Sequence, residues 1–413
     1  EVNLVIVKAG VQGGLGFEVI FDLNDINDDG RVRVSEIVAN AQQDPRCIFD
    51  IEGRIYLFLE AFLKVDLFFF SIDKTWRFAE ITLFSFEITC PEPVLAEFSG
   101  SDLLLNIGSR AANRLEIDTT DGSETFLVRH VQGSAGAETV EVQWGNWKQT
   151  FANVGRIIVQ DAGQGDDYVD FRSVLSTVEV RGGAGNDTIY LGDGPNSRAW
   201  GDEGNDTIHA SSNSGVTGVI LYGGPGNDTL HAGASAIKIF GDAGNDTIYG
   251  SPEADELYGD DGSGTLPDGN DVIYGRAGND GIRGGLGNDI LYGEEGDDWI
   301  RGDGGNDILY GGPGDDVLEG NAGDDRLYGS AGNDLLLGGA GSDWANGHGG
   351  IDLLIGDEDP AQPITIHGLP VTQANLAAIR AAIAAIPTAG ITVRNIPGAG
   401  STATGNDILI GGG

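Results

Sequence analysis

The sequence predicts an all-β protein whose main part is a parallel β-roll, a flattened β-solenoid, with a β-rich N-terminal domain and a small helical insertion near the C-terminus. Two periodicities support this prediction: a unit rich in glycine and aspartate returns every nine residues, and a tyrosine returns every eighteen. Fixed-period repetition of a short unit is typical of a solenoid, in which each unit stacks on its neighbours. The N-terminal part contains apolar runs interrupted by single charges, as in IYLFLEAFLKVDLFFFSI from Ile55 to Ile72. This pattern indicates long buried strands and argues against a membrane span.

The nine-residue unit is regular over a long stretch. Nine consecutive units start at Gly275 and run without a slip to Gly356, among them GGLGNDILY, GDGGNDILY and GGPGDDVLE. Related units begin at residues 182, 201, 223 and 241, a weaker one begins at 250, and an interrupted one ends in DGNDVIY at 268–274. So many copies in one phase cannot arise by chance, and they define a repeat region over residues 182–359.

Each unit has two parts with different chemistry. Glycines at positions 1, 2 and 4 permit positive φ and a tight turn along which backbone carbonyls converge. Asn or Asp at position 5 is expected to tolerate left-handed geometry, and the Asp at position 6 adds a carboxylate. Such a turn offers the hard oxygen ligands that Ca²⁺ prefers. Positions 7 to 9 predict a short strand whose middle residue, Ile or Leu, points inward.

The second period shows how the units are arranged in space. Position 9 is tyrosine in every second unit, at Tyr274, Tyr292, Tyr310 and Tyr328. The structural repeat is therefore eighteen residues, as expected for a flattened coil with two strands and two turns per lap. Stacking of laps at the strand spacing of about 4.8 Å predicts a tyrosine ladder on one face. It also places each turn directly above the turn two units earlier, where carboxylates of both can share ions.

The units resemble the RTX (repeats-in-toxin) calcium-binding nonapeptide family over residues 182–359. The resemblance implies a parallel β-roll with several Ca²⁺ ions between stacked turns, held by the position-6 aspartates and by carbonyls of the turn glycines. The implied ligands are Asp187, Asp206, Asp228, Asp246, Asp271, Asp280, Asp289, Asp298, Asp307, Asp316, Asp325, Asp334, Asp343 and Asp352. Irregular copies of the unit add Asp167 in GQGDDYVDF and Asp407 in TGNDILIGGG. The pattern is weaker where Glu253 and Ala254 replace turn residues and where Ile351 replaces Asn or Asp.

The charge of the chain points to cations as partners. The 413 residues include 64 acidic and 23 basic ones, a net charge of −41, which argues against binding to nucleic acid or to an anionic membrane. Residues 182–360 contain 34 acidic and 6 basic residues, a net −28. Because the small Ile/Leu core cannot offset this repulsion, we expect folding of the roll to be coupled to calcium. Numerous weak sites suit millimolar calcium outside the cell, so the protein is expected to be secreted or held at the cell surface. The resemblance to the RTX family implies a bacterial source.

A different calcium site is predicted near the N-terminus. The segment DINDDGRVRVSE resembles an EF-hand loop, with oxygen-bearing residues at positions 1, 3, 5 and 12 and glycine at position 6. Its candidate ligands are Asp25, Asn27, Asp29, Arg31 and Glu36. The preceding GFEVIFDLN has the pattern of a strand, and Arg33 at position 9 is atypical, so the loop is closer to a dockerin-like variant. A plain surface turn rich in Asn, Asp and Gly is the alternative.

The repeat pattern also sets the domain boundaries. The predicted segments are 1–95, a β-rich N-terminal domain with the EF-hand-like loop; 96–181, an irregular start of the solenoid; 182–359, the regular β-roll; 360–404, an insertion; and 405–413, a resumed repeat. The insertion contains an amphipathic helix, with Leu376, Ile379, Ile383 and Ile386 on one face and a stop at Pro387, whose apolar stripe is expected to serve in packing. Cys47 and Cys90 fit either one disulfide of a secreted protein or two buried thiols.

Two functions are compatible with these features. The sequence has no HExxH, GxSxG or CxxC motif and no phosphate loop ending in GK[ST], so the chain is predicted not to be an enzyme. The first function is an extracellular, calcium-stiffened rod that self-associates into a surface layer, adhesin, matrix or filament. Trp299, Val317 and Leu335, expected to be exposed on the face without tyrosines, favour it. The alternative is the C-terminal module of a larger exported enzyme or toxin, because the resemblance implies type I secretion and folding on contact with external calcium.

Overall fold

The chain forms two units, and most of the residues that the structure describes in them lie in β-strands. The structure, a computed structural model, describes residues 4–5, 14–23, 49–67, 70–88, 94–114, 122–260, 269–350, 352–357, 365–366, 369–370 and 408–410. One unit comprises residues 1–94 and 111–120, and the other comprises residues 95–110 and 121–413. The helical element among the described residues is a 3₁₀-helix at Gly108–Arg114. The predicted all-β fold class is confirmed.

The first unit contains a four-stranded antiparallel sheet. Its strands, in spatial as well as chain order, are β1 Leu4–Val5, β2 Gly14–Leu23, β3 Phe49–Leu67 and β4 Phe70–Ile88. The hairpin of β3 and β4 has two strands of 19 residues each, with register shifts at Ile55/Tyr56 and Leu59/Glu60. These long paired strands agree with the long strands expected in the Ile55–Ile72 stretch, and β2 confirms the strand expected before residue 25.

The second unit is a solenoid made of two facing sheets, which we call the first and the second sheet. The first sheet consists of β5 Ala96–Ser99, β6 Asp102–Leu105, β10 Arg156–Val159, β12 Thr177–Ala184, β14 Arg198–Glu203, β16 Ile220–Pro225, β18 Lys238–Ala243, β20 Glu256–Tyr258, β22 Gly281–Leu286, β24 Trp299–Gly304, β26 Val317–Ala322, β28 Leu335–Ala340, β30 Leu353–Asp357 and β33 Ile408–Ile410. The second sheet consists of β7 Thr125–Ser134, β8 Ala137–Trp144, β9 Trp147–Val154, β11 Tyr168–Asp170, β13 Thr188–Tyr190, β15 Thr207–His209, β17 Thr229–His231, β19 Thr247–Tyr249, β21 Val272–Ala277, β23 Ile290–Glu295, β25 Ile308–Pro313, β27 Arg326–Ala331 and β29 Trp344–Gly349.

Strand pairing confirms the eighteen-residue lap. From β6 and β7 onward the solenoid strands pair in parallel, and partners in the regular part lie eighteen residues apart, as in Tyr274↔Tyr292 and Ile300↔Leu318. Antiparallel strands occur at the N-terminal side, where β5 pairs with β6 and the β7–β8–β9 meander extends the second sheet. The chain therefore alternates between the two sheets, and each lap contributes one strand to each, which is the predicted β-roll.

The core lies between the two sheets, and in the regular part of the roll it is made of one inward apolar side chain per strand. Position 8 of each unit points inward, and Ile208, Leu230, Ile273 and Leu309 have no exposed surface. Each buried Ile or Leu contributes about 1.5–3 kcal/mol relative to an exposed one. Each unit adds one such residue to a single continuous cluster. The predicted inward direction of position 8 is confirmed.

The predicted tyrosine ladder exists and is longer than expected. It runs along the outer face of the second sheet and comprises Tyr168, Tyr190, His209, His231, Tyr249, Tyr274, Tyr292, Tyr310, Tyr328 and Trp344. Adjacent ring centroids in its middle part are 4.4–5.1 Å apart. A second, shorter aromatic ladder, which the sequence analysis missed, stacks Trp200, Tyr222, Phe240 and Tyr258 on the first sheet. The sequence contains a pattern that predicts this ladder, because an aromatic residue lies two positions after the first residue of β14, β16, β18 and β20.

One expectation about the other face is wrong. Val317 and Leu335 were predicted to be exposed, but they are 1% and 0% exposed. Leu336 and Leu337, which point to opposite faces of β28, are also buried. A strand covered on both faces is apolar at consecutive positions, whereas a strand covered on one face alternates. The run LLL at 335–337 is such an apolar run, and Val317 and Leu335 do not form an exposed apolar surface that could promote self-association.

Several predicted features lie outside the described residues. These are the EF-hand-like loop with Asp25, Asn27, Asp29, Arg31 and Glu36, the cysteines Cys47 and Cys90, the amphipathic helix of the insertion, and Asp407. Within the 360–404 segment the structure describes a short antiparallel pair, β31 Thr365–Ile366 and β32 Leu369–Pro370. The three residues of β33 pair in parallel with β30, so strand structure returns to the first sheet at the resumed repeat.

Candidate metal centre

The position-6 aspartates form two ladders, one along each edge of the roll. The long ladder precedes strands of the second sheet and consists of Asp167, Asp187, Asp206, Asp228, Asp246, Asp271, Asp289, Asp307, Asp325 and Asp343. The short ladder precedes strands of the first sheet and consists of Asp255, Asp280, Asp298, Asp316, Asp334 and Asp352. Each of these residues is at most 9% exposed. The structure thus places fifteen aspartates that the sequence analysis named in two buried rows, and it adds Asp255.

One oxygen of each carboxylate is held by the backbone of the neighbouring lap. The N–H of Asp187 donates to Oδ1 of Asp206 at 2.7 Å, and the N–H of Asp289 donates to Oδ1 of Asp307 at 2.8 Å. The same bond recurs along both ladders. Buried polar groups of native proteins are nearly always hydrogen-bonded in this way. Position 6 therefore fixes the stacking of laps, in addition to any role in metal binding.

Position 5 has a different role from the one predicted. Its side chain accepts a hydrogen bond from the N–H of the equivalent residue one lap later, as from Asn205 to Asn186 Oδ1 at 2.9 Å. The left-handed conformations occur at positions 2 and 4 instead, for example at Asp303 with φ 71° and Gly305 with φ 132°. The expectation of left-handed geometry at position 5 is wrong, because position 5 has no positive φ and its side chain instead bonds to the backbone of the next lap. The side chain of position 5 thus accepts a hydrogen bond from the following lap, whereas that of position 6 accepts one from the preceding lap.

In eight of the ladder aspartates, the second carboxylate oxygen indicates that a cation or a proton is needed. In eight aspartates Oδ2 is buried and accepts no hydrogen bond, namely Asp187, Asp206, Asp228, Asp246, Asp280, Asp289, Asp307 and Asp325. Leaving a buried carboxylate oxygen without a partner is costly, by about 1–3 kcal/mol or more for a charged group. A proton or a metal ion removes that cost.

The acidity of these groups follows from the same burial. Burial raises the pKa of Asp187 and Asp307 to about 6 and that of Asp206 and Asp325 to about 7. Burial likewise raises the pKa of Asp228, Asp246, Asp280 and Asp289 to about 8, with repulsion from neighbouring aspartates adding to it. At neutral pH the ladders therefore bind protons or cations where exposed aspartates would bind neither.

Backbone carbonyls converge on these oxygens at the first glycine of each unit. A Cβ on Gly201 would overlap both Oδ2 of Asp206 and the carbonyl oxygen of Gly223 of the next lap. The same overlap recurs along the ladders, so position 1 requires glycine for space and not for positive φ. Among the described residues, no three His, Cys, Asp or Glu side chains come together as a metal-binding group. A cation at these turns would be held by a carboxylate and backbone carbonyls, a donor set of hard oxygens that fits Ca²⁺ and not a thiophilic metal.

We expect Gly223→Ala to destabilise the roll by about 1–3 kcal/mol in saturating calcium, because its methyl group overlaps Asp228 Oδ2 and the Gly241 carbonyl oxygen. The matched control is Gly122→Ala, whose Cβ meets nothing within 4 Å. Neither glycine has a left-handed φ, so the pair isolates the effect of space. The free energy of unfolding from urea titration is the measurement, and equal effects of both variants would contradict the crowded turn.

Two departures from the repeat pattern have different outcomes. Asp255, in the unit with Glu253 and Ala254, is not among the predicted ligands. Its N–H nevertheless donates to Oδ1 of Asp280 at 2.8 Å, the same bond that the neighbouring units of the ladder make. Its Oδ2 accepts the N–H of Ser251 at 2.6 Å, so here a backbone donor takes the place that a cation would have. Asp352, next to the atypical Ile351, still accepts the N–H of Asp334 at 3.0 Å. The aspartate at position 6 was the reliable signal, and the turn residues before it were not.

The comparisons with known proteins agree with this geometry. The family model of the RTX calcium-binding nonapeptide repeat matches the chain at residues 179–197, 196–214, 219–236, 238–266, 268–291, 283–318 and 319–354. No curated protein matches the chain. Among the described residues, no helix is both long and apolar enough to span a membrane. The β-roll of residues 179–354 is therefore similar to the RTX calcium-binding nonapeptide repeats, and Ca²⁺ is the cation that this similarity supports.

Proposed function

We propose that the protein is an extracellular structural protein of bacterial origin, a rod stabilised by calcium that assembles into a surface layer, matrix, adhesin or filament. The observation that carries this proposal is the long ladder, in which ten carboxylates are buried one above another at the spacing of β-strands. Such a stack is stable in water only with counter-charges inside it. External calcium, at millimolar concentration, supplies them.

Positions 1, 5 and 6 of the repeat unit have different roles in calcium binding and in lap stacking. Oδ2 of the position-6 aspartates and carbonyls of the position-1 glycines would hold Ca²⁺, which neutralises the carboxylates when bound. Oδ1 of the same aspartates keeps each turn in register with its neighbour through the backbone N–H. The Asn and Asp side chains of position 5 hold the outside of the turn. Because the binding groups belong to successive laps, calcium and lap stacking stabilise each other.

The calcium-triggered folding and type I secretion module of a larger enzyme or toxin is the second candidate function. The observation that favours it is the raised pKa of the ladder aspartates, for example Asp228 and Asp289 at about 8. At the low calcium concentration of a cytosol these groups oppose folding, which suits export of an unfolded chain. We propose no catalytic activity for the repeats themselves, since their buried carboxylates are accounted for by stacking and cation binding.

Electron microscopy of the full chain in millimolar calcium tests the rod proposal. We expect ordered fibres or layers that disperse on addition of a chelator, with sedimentation velocity showing the same change in size. Self-association depends on this experiment, because the apolar residues first expected to mediate it, Val317 and Leu335, are buried. A folded, strictly monomeric protein at high concentration in calcium would overturn assembly and favour the secretion module.

A further inference from the structure

A cleft on the outer face of the first sheet is not explained by calcium binding. It arises at Gly281, which occupies position 7 of its unit, between Glu256 of the preceding lap and Trp299 of the following one. The other residues at this position along the sheet have side chains that stand out from the strand. The missing side chain leaves a cleft of about 210 Å³ with the backbone of Gly281 and Ile282 as its floor.

The walls of the cleft combine aromatic rings and planar charged groups. Tyr258 and Trp299 lie at opposite corners, and Glu256, Arg283 and Arg301 complete the lining. Tyr258 is the last ring of the shorter aromatic ladder, stacked on Phe240 at 4.9 Å. Beyond it position 9 changes to arginine, so the ladder stops where the cleft begins. One aromatic face and several hydrogen-bonding groups therefore border the same space.

A network of ion pairs holds these walls in place. Arg283 and Arg301 both contact Asp303, at 2.8 and 2.9 Å. The indole N–H of Trp299 donates to Glu319 at 3.0 Å, which fixes the orientation of the ring. Lys238 pairs with Glu256 at 2.8 Å on the other side of the cleft. Side chains fixed in this way form a rigid site that loses little entropy on binding.

The local charge differs from that of the rest of the roll. The three basic residues at the cleft, Lys238, Arg283 and Arg301, are half of the six in residues 182–360. They balance three acidic residues, Glu256, Asp303 and Glu319, so the cleft is neutral within a region of net charge −28. An anionic ligand would be repelled by the surrounding field, and a metal ion would find more favourable oxygens at the aspartate ladders. The neutral lining therefore favours a neutral ligand over an anion or a metal ion.

The chemistry of the walls selects the class of neutral ligand. A purely aromatic or aliphatic group in the cleft would take water away from Glu256, Arg283 and Arg301 without replacing its hydrogen bonds, which is costly. A pyranose ring has an apolar C–H face for Trp299 or Tyr258 and, at its edge, hydroxyls that both donate and accept. We propose that this cleft binds a single neutral pyranose unit, so that the rod carries a glycan-binding site separate from its calcium sites.

The test is a titration of the full chain, in calcium, with methyl glycosides of glucose, galactose, mannose and N-acetylglucosamine, followed by the NMR signal of the Trp299 indole N–H. We expect a saturable shift with at least one of them and a dissociation constant of about millimolar, as is usual for so small a ligand. Gly281→Thr fills the cleft and is expected to weaken binding at least tenfold. This variant should fold well, since Gly281 has no left-handed φ and threonine suits a strand interior.

The controls make each outcome decisive. Thr229→Val, on the outer face of the second sheet, should leave the titration unchanged, whereas Tyr258→Leu, which removes the other aromatic ring of the lining, should weaken it as Gly281→Thr does. The absence of a saturable shift with all four glycosides would overturn the proposal. So would unchanged affinity in Gly281→Thr, or a shift produced by N-acetyltryptophanamide and by none of the sugars, which would indicate a site for an aromatic side chain of a protein partner. These outcomes do not depend on whether the protein assembles into rods.

Discussion

Removal of calcium at neutral pH is expected to unfold the β-roll. With eight aspartates whose Oδ2 atoms are buried without a hydrogen bond, repulsion and desolvation exceed what the one inward Ile or Leu per strand can offset. Far-ultraviolet circular dichroism in a chelator should therefore lose the β signal and regain it on addition of excess calcium. Magnesium, which demands stricter octahedral geometry, is the matched control and should restore the signal poorly. A β spectrum that is unchanged by the chelator would contradict calcium-coupled folding.

Protons should partly substitute for calcium in the same experiment. The eight aspartates have folded-state pKa values raised from 3.8 to about 6–8, so their contribution to stability is fully present below pH 3.8 and is lost as the pH rises through 6 to 8. His209, whose pKa burial lowers to about 4, acts in the opposite sense below pH 6.5, as does His231. Because the aspartates outnumber the histidines, the chelated protein should retain more of its β signal at pH 5 than at pH 8. The reverse order would show that the ladder carboxylates are not buried in the ion-free chain.

Replacement of one ladder carboxylate should have opposite effects with and without calcium. Asp289→Asn keeps an oxygen to accept the N–H of Asp271 and places an amide nitrogen beside the carbonyl of Gly302. In a chelator the variant should be more stable than the native chain, on the order of a few kcal/mol, because it removes a buried charge whose pKa is about 8. In calcium it should be less stable by about 1–3 kcal/mol, because one charged ligand is lost. The pH at which the β signal is lost in a chelator should therefore be higher for the variant, and thermal unfolding in calcium measures the opposite sign.

Asp255→Asn provides the matched control for this inversion. Asp255 belongs to the short ladder, but its Oδ2 already accepts the N–H of Ser251, and its Oδ1 accepts the N–H of Ile237. An amide nitrogen at either place faces a donor, so this variant should be destabilised in calcium and in chelator alike. If Asp289→Asn behaves in the same way, the ladder aspartates are structural hydrogen-bond acceptors and not cation ligands.

The spacing of the aspartates shows how far the sequence could lead. Successive aspartates from Asp280 to Asp352 are nine residues apart and alternate between the two edges, whereas Asp187, Asp206, Asp228 and Asp246 are 18–22 apart and all belong to the long ladder. In this wider spacing, successive aspartates are one whole lap apart. The turn between them, at the other edge of the roll, carries no aspartate. At that edge Ser197 takes the equivalent place and accepts the N–H of Val178. The difference in length between the two ladders could thus be predicted from the sequence once the lap length was known.

The sequence alone determined the lap of eighteen residues, the inward Ile and Leu, the tyrosine ladder and the position-6 aspartates, because each depends on a period that the backbone of a strand and a turn imposes locally. Only the tertiary structure decided which oxygen of each carboxylate is satisfied, that position 5 bonds the next lap, that Asp255 finds its donor in Ser251, and that Val317 and Leu335 are buried. These depend on contacts between residues a lap or more apart, or on which parts of the chain cover a sheet. A repeat pattern specifies its own turn, but it carries little information about what lies against it.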